Sequence, residues 1–326
     1  MTLLRSCIGL AALAGASMGA MPDFYRQLNS VVWVVKSIDH PLQGWTRLGL
    51  SDIKDHGTVK FDGQYRGNPV TVEARVVTGK LGNLTVNMVQ PAKGENAFAE
   101  FLSRHGDGIF SLVHEVASME QMTAEIQRMH SLGVGVLQRT SISSDSGPIT
   151  LTFFDTEQHG KYVLGLIHWP GGAPPSGPPG KISHIAIVAR EAEGPSAYWE
   201  KLGFPAMPKS HASPREDSRY HGKPLWLDFD VCWQRHTQFT YEWIIPPNAP
   251  PNLYADFLKA HGEGVQHLGV PIDDLKKAIA EYTGLGYSAA QCGAWGDVGK
   301  KDSGQYCYMD TDSIGGVVAE VIKAYH

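Results

Sequence analysis

Four side chains in the second half of this 326-residue chain are out of character with the strand-like runs around them. His184 stands in Lys181-Ile-Ser-His-Ile-Ala-Ile-Val188, and Glu242 in Tyr241-Glu-Trp-Ile-Ile245. His267 stands in Val265-Gln-His-Leu-Gly-Val270, and Glu320 in Gly316-Val-Val-Ala-Glu-Val-Ile322. A carboxylate inside an apolar strand costs free energy unless something cationic pairs with it. Two carboxylates and two imidazoles, each alone in its own strand, point to one shared divalent cation. Zn, Ni, Co, Mn and Fe(II) all accept this donor set. The competing reading is a buried His–Glu hydrogen-bond network with no ion in it.

The elements that must bring these residues together repeat along the chain. Ala97-Phe-Ala-Glu-Phe-Leu-Ser-Arg-His-Gly-Asp-Gly108 returns as Leu253-Tyr-Ala-Asp-Phe-Leu-Lys-Ala-His-Gly-Glu-Gly264. Phe153-Phe-Asp-Thr156 returns as Tyr308-Met-Asp-Thr311, and the segment around Trp45 returns around Trp199. The offset stays about 155 residues, the mark of a duplicated domain. A finer repeat lies inside each half. A Leu-Gly pair ends at Gly49, Gly133, Gly203 and Gly286, each time after a helix-like stretch. Leu275, Ile279 and Tyr282 share one helical face, as do Met122, Ile126 and Met129. The glycine stands where a helix C-terminus wants a left-handed residue. Each unit therefore reads as strand, helix, Leu-Gly cap and then several strands, and the chain holds four.

On that repeat, His184 and His267 fall in the first strand of their units, and Glu242 and Glu320 in the last. Pseudo-twofold pairing of units converges equivalent positions on one point. The first half is an internal control. Its residues at the four equivalent places are Ser30, Asn87, Ser111 and Gly165, so the strands fold without the ligand types.

Three stretches, Ile182-Ser-His-Ile-Ala-Ile187, Gly264-Val-Gln-His-Leu-Gly-Val270 and Tyr306-Cys-Tyr-Met-Asp-Thr-Asp-Ser-Ile-Gly-Gly-Val-Val-Ala-Glu320, carry a resemblance to the vicinal-oxygen-chelate superfamily. This group includes glyoxalase I, methylmalonyl-CoA epimerase, fosfomycin- and bleomycin-resistance proteins and the extradiol and hydroxyphenylpyruvate-type dioxygenases. The resemblance runs from about Leu28 to the C-terminus. It implies an α+β fold of four βαβββ modules paired into two domains, residues 24–167 without metal ligands and 181–326 with them. It also implies one divalent metal ion (Zn, Ni, Co, Mn or Fe) on His184, Glu242, His267 and Glu320. The function it favours is a lyase, isomerase or epimerase that moves a proton through a metal-chelated enediolate of a small oxygenated substrate, with Glu242 or Glu320 as catalytic base. The runner-up is an Fe(II) ring-cleaving dioxygenase using His184, His267 and Glu320, for which Glu242 is one ligand too many. A ligand-sequestering protein without catalysis is the third class, and the intact quartet argues against it. A homodimer is the assembly the resemblance raises.

Bulk composition is that of a soluble globular protein and says nothing about small molecules. The chain is 42% hydrophobic and 19% charged, with a formal net charge of -5. The absence of any dense Lys/Arg run argues against nucleic acid or an anionic membrane surface as main partner. Of four cysteines, Cys7, Cys232, Cys292 and Cys307, none forms a Cys-x-x-Cys pair, which leaves room for one disulfide among the last three. Residues 1–20, with Arg5 ahead of a small apolar run and Ala14-Gly-Ala16 as a cleavage site, fit a secretory signal peptide and an exported protein. With Met21 as the true start, the protein stays cytoplasmic. No other stretch is long enough for a membrane span. The Pro/Gly-rich segment 168–180 reads as a linker between domains. Among the aromatics of the second half, Trp226, Trp233 and Tyr308 are candidates to line an apolar substrate pocket, against a core role as the default. His221 and His236 read as surface histidines, His105 and His261 as structural. Asn83-Leu-Thr85 matches a glycosylation acceptor, a pattern common by chance.

Overall fold

A computed structural model describes residues 21–92, 94–172, 182–237 and 239–326. The proposed signal peptide and most of the proposed linker, residues 173–180, lie outside the described residues.

The first half runs β1 (Ser30–Val34), α1 (Asp39–Arg47), β2 (Ser51–Tyr65), β3 (Asn68–Leu81), β4 (Leu84–Pro91), α2 (Ala97–His105), β5 (Gly108–Val116), α3 (Met119–Ser131), β6 (Val136–Ile142), β7 (Ile149–Phe154), α4 (Glu157–Gly160) and β8 (Val163–His168). The second runs β9 (His184–Val188), α5 (Glu193–Lys201), β10 (Lys209–Ala212), β11 (Arg219–Tyr220), β12 (Lys223–Pro224), β13 (Phe229–Arg235), β14 (Thr240–Ile245), α6 (Leu253–Ala260), β15 (Gly264–Pro271), α7 (Leu275–Gly284), β16 (Ala289–Trp295), β17 (Ser303–Met309) and β18 (Val318–Tyr325). This is the α+β arrangement of four βαβββ modules. The helices α1, α3, α5 and α7 are each followed by the predicted glycine, Gly49, Gly133, Gly203 and Gly286, all at positive φ. The connecting helices α2 and α6 start on Asn96 and Asn252, whose side chains accept from Ala99 and Ala255 N–H.

In the first half the strands close on themselves. The order β2-β3-β4-β1-β5-β8-β7-β6 returns to β2 through Asp62–Tyr65 paired with Gln138–Ser141. The interior is filled by aromatic rings, with Phe98, Phe110 and Phe153 packed edge to face. In the second half the order β10-β13-β14-β9-β15-β18-β17-β16-β11-β12 does not close among the described residues. The strand β2 has 15 residues and reaches its partner, whereas its counterpart β10 has four and stops short.

The halves grip each other with equivalent residues. Trp45 donates its indole N–H to Ile314 O at 2.9 Å, and Trp199 donates to Gly160 O at 3.1 Å. His105 Nδ1 lies 2.6 Å from His261 O, and His261 Nδ1 lies 2.8 Å from His105 O, which is the structural role expected for this pair. Trp33 adds a hydrogen bond to Gly315 O at 2.6 Å, and a Cβ on Gly316 would stand 1.8 Å from Asp107 O. Asn83 accepts from Ile182 N–H and donates to Ile182 O, so its side chain is used in the fold. His221 is exposed as expected, but His236 is half-buried. It packs on Tyr241 with ring centroids 4.3 Å apart and is set against Phe204. Burial holds its imidazole down to about 4.

Candidate metal centre

The strand register converges the four residues. On β9 and β14, His184 pairs with Thr240 and Ala186 with Glu242. On β15 and β18, His267 pairs with Val318 and Gly269 with Glu320. The antiparallel seam β9–β15 joins the two pairs, with His184 opposite Gly269. One ligand atom from each of the four then lies within 4.8 Å of the others. His184 Nε2 stands 2.8 Å from Glu320 Oε2, 3.3 Å from Glu242 Oε2 and 3.3 Å from His267 Nε2. His267 Nε2 stands 3.3 Å from Glu242 Oε2 and 3.6 Å from Glu320 Oε2. Ligand bonds of about 2.1 Å set at right angles put neighbouring donors about 3 Å apart, so this spacing fits donors arranged around one ion.

Two further observations bear on the fit. Glu320 Oε2 is buried without an aligned hydrogen bond, although two imidazole nitrogens face it. The outer nitrogens are fixed: His267 Nδ1 lies 2.8 Å from Gln266 Oε1, and His184 Nδ1 lies 3.1 Å from Ser183 Oγ. With those nitrogens engaged, both Nε2 atoms point inward as ligands do. Burial acts to lower the His184 imidazole, but Glu320 and Glu242 outweigh it and raise the group above its ordinary value. Burial likewise acts to raise Glu320, and His184 outweighs it, holding the carboxyl low. Charges of opposite sign thus face one another at the base of a cavity, and the donor set fits a divalent cation.

The open edge of the second half leads to this point through a cavity of roughly 430 Å³. Leu225, Leu227, Phe229, Val231 and Trp233 form an apolar wall, and Glu242 and Glu320 lie at the base. Of the three aromatics expected in a pocket, Trp233 and Tyr308 line it, whereas Trp226 is 64% exposed and stands outside its lining. Tyr254 was not anticipated as a lining residue. Its hydroxyl donates to the Tyr308 hydroxyl at 2.9 Å, and burial raises both phenols well above their ordinary value. The signal was available, because Tyr254 and Tyr308 stand where Phe98 and Phe153 stand in the first copy. The one disulfide left open by the sequence joins Cys292 on β16 to Cys307 on β17, and Cys232 remains a buried thiol.

Residues 183–308 match the family described as the Glyoxalase/Bleomycin resistance protein/Dioxygenase superfamily. Among solved structures, a triple mutant of 4-hydroxymandelate synthase from Streptomyces coelicolor superposes with a TM-score of 0.62 at 17% identity, covering 92% of this chain and 93% of that one. A Mn(II)-bound glyoxalase from Novosphingobium aromaticivorans matches at TM-score 0.48 and 13% identity, over 92% of this chain and 83% of that one. A catechol 2,3-dioxygenase matches at TM-score 0.44 and 10% identity, over 92% and 93%. No curated protein matches the sequence. Fold and donor set define a protein of paired βαβββ modules with a candidate divalent-metal centre. The family match is confined to residues 183–308, and the superposition shows the same paired-module fold across both halves.

Proposed function

We propose that the chain is a divalent-metal-dependent lyase, isomerase or epimerase that moves a proton within a small oxygenated substrate. The observation that carries this is the place of Glu242. It is a fourth donor, and at 12% side-chain exposure it is the least buried of the set, against 4% for Glu320 and 6% and 0% for His184 and His267. A bound divalent ion would supply Lewis acidity, stabilising negative charge on a substrate oxygen as the neighbouring carbon loses its proton. Glu242 faces the cavity and can accept that proton on its carboxylate and return it to an adjoining atom. The apolar wall around Trp233 excludes water from the exchange, and Glu320 and the two histidines stay fixed as the deeper part of the cradle. The disulfide supports an oxidising compartment, consistent with export.

Metal content by mass spectrometry on protein purified anaerobically tests the reading. About one equivalent of Zn, Ni, Co or Mn is expected, lost in a His184→Ala/Glu320→Ala double variant. Glu242→Gln should keep the metal and slow exchange of the substrate proton with solvent by a factor of about 10² or more. No metal in any sample, even after incubation with excess ions, sinks the proposal.

A second reading is an Fe(II) ring-cleaving dioxygenase on His184, His267 and Glu320. The favouring observation is architectural: an empty half joined to a metal-capable half. One equivalent of Fe(II), with oxygen uptake on catechol-like compounds, selects it.

A further inference from the structure

We infer that Arg235 anchors an anionic group, in the simplest case a carboxylate, on the molecule that occupies the cavity. This deepens the reading above and rests on it, since the other end of that molecule meets the quartet.

Strand alternation turns Val231, Trp233 and Arg235 of β13 inward together, and all three line the cavity. Arg235 pairs with Thr240, and Thr240 pairs with His184 across the next strand. The arginine stem thus starts two strands from His184, roughly 10 Å by strand spacing, with its guanidinium free to swing over the gap.

Charge at this end of the cavity is unbalanced. The carboxylates of its lining are Glu242 and Glu320, both committed to the imidazoles and the cation they would hold. Arg215, the other cationic residue of the lining, is already engaged, with Nε 3.1 Å from Asp217 Oδ1 and Nη1 2.9 Å from Gly296 O. Arg235 has no side-chain hydrogen bond or ion pair among the described residues. Arg235 is exposed at the end of β13, on the rim of the cavity beside Trp233 and Thr240, where its guanidinium can reach a molecule that enters. A guanidinium offers two parallel N–H donors that suit a carboxylate. The ligand class that meets these features together has neighbouring oxygens at one end, an apolar or aromatic body against Leu225, Leu227 and Phe229, and a carboxylate at the other end.

Calorimetric titration of the full-length, Mn-loaded protein with two probes tests this. Para-carboxybenzohydroxamate offers two adjacent oxygens and a carboxylate, and para-carbamoylbenzohydroxamate is its neutral counterpart of similar shape. The carboxylate probe should bind about tenfold more tightly, an advantage that fades as salt rises. Arg235→Leu should erase the advantage and Arg235→Lys should keep part of it. Equal affinities, or an advantage that survives Arg235→Leu, overturn the anchor. Repeating the titration without metal separates the two claims. Equal, metal-dependent binding of both probes sinks the anchor and leaves chelation standing. An Arg235-dependent advantage that is indifferent to metal leaves the anchor and sinks chelation. No binding of either probe sinks both.

Discussion

The two halves share one set of modules and differ in what occupies the middle. In the first, the ring of strands closes and Phe98, Phe110 and Phe153 fill it. In the second, β10 is too short to close the ring, and the space between strands becomes a cavity ending at the quartet. The exchange of large for small residues is reciprocal. His184 lies over Gly269, where an added Cβ would come within 2.1 Å of the ring, and the equivalent pair in the first half is Ser30 and Val113. Glu320 neighbours His267, and the equivalent pair is Gly165 and Ser111, where a Cβ on the glycine would stand 2.7 Å from the Ser111 hydroxyl. A ligand thus needs both its own residue type and an opposite neighbour small enough to leave it room. The first half has neither, and substitution at one position alone would not install a centre there.

The comparison can be broken most sharply at Gly269. Gly269→Val gives the second half the first half's residue and forces the His184 ring out of the quartet. Metal stoichiometry should fall from about one to near zero, with about 1–3 kcal/mol of stability lost to overpacking. Full metal retention would mean that His184 is not a ligand.

The junction of the halves gives the next effect. His114, from the first half, is buried against Tyr25 and held down to about 3 by desolvation, and His236, from the second, is held to about 4. Both are neutral when folded at pH 7. Unfolding frees them to bind protons near the ordinary value of 6.5, so the unfolded state takes up protons that the folded state refuses. Stability should therefore fall as pH drops through 6.5 towards 4, by at most about 1.4 kcal/mol per pH unit for each imidazole. Urea midpoints at several pH values should show this fall, with a shallower slope in His114→Gln. A midpoint unchanged across that range would contradict neutral burial.

The smallest effect comes from the tyrosine pair. Tyr254→Phe/Tyr308→Phe restores the Phe98–Phe153 arrangement and removes two hydroxyls that bond each other at 2.9 Å. Thermal unfolding should move by about 1 kcal/mol in free energy with metal content unchanged. Loss of metal would show that the phenols help hold the cradle.

Much of this was legible from residue order. The repeat could be read because each module restarts with an apolar strand and stops its helix on Leu-Gly. The ligands could be read because His and Glu are costly in such strands. The unclosed edge could not, since it depends on how far β10 extends relative to β2 and on the residues 213–228 that cross between β10 and β13. Gly269 looked like one more strand glycine, because its value lies in a neighbour 85 residues earlier. Trp226 had the right type for a pocket, but a strand fragment of two residues, β12, leaves its direction to the surrounding loop. His236 was misplaced because burial by the opposite half leaves no periodic trace in its own segment.

The loop ahead of β18 is held from both halves: Thr311 and His261 bond it from its own, while Trp33 and Trp45 of the other grasp Gly315 and Ile314, and Asp107 abuts Gly316. Four residues beyond Gly316 stands Glu320. The silent copy therefore works as a jig, clamping the workpiece while taking no part in the cut. Such a copy can drift in nearly all its own residues and still be indispensable, provided its two indoles and one carbonyl keep their hold.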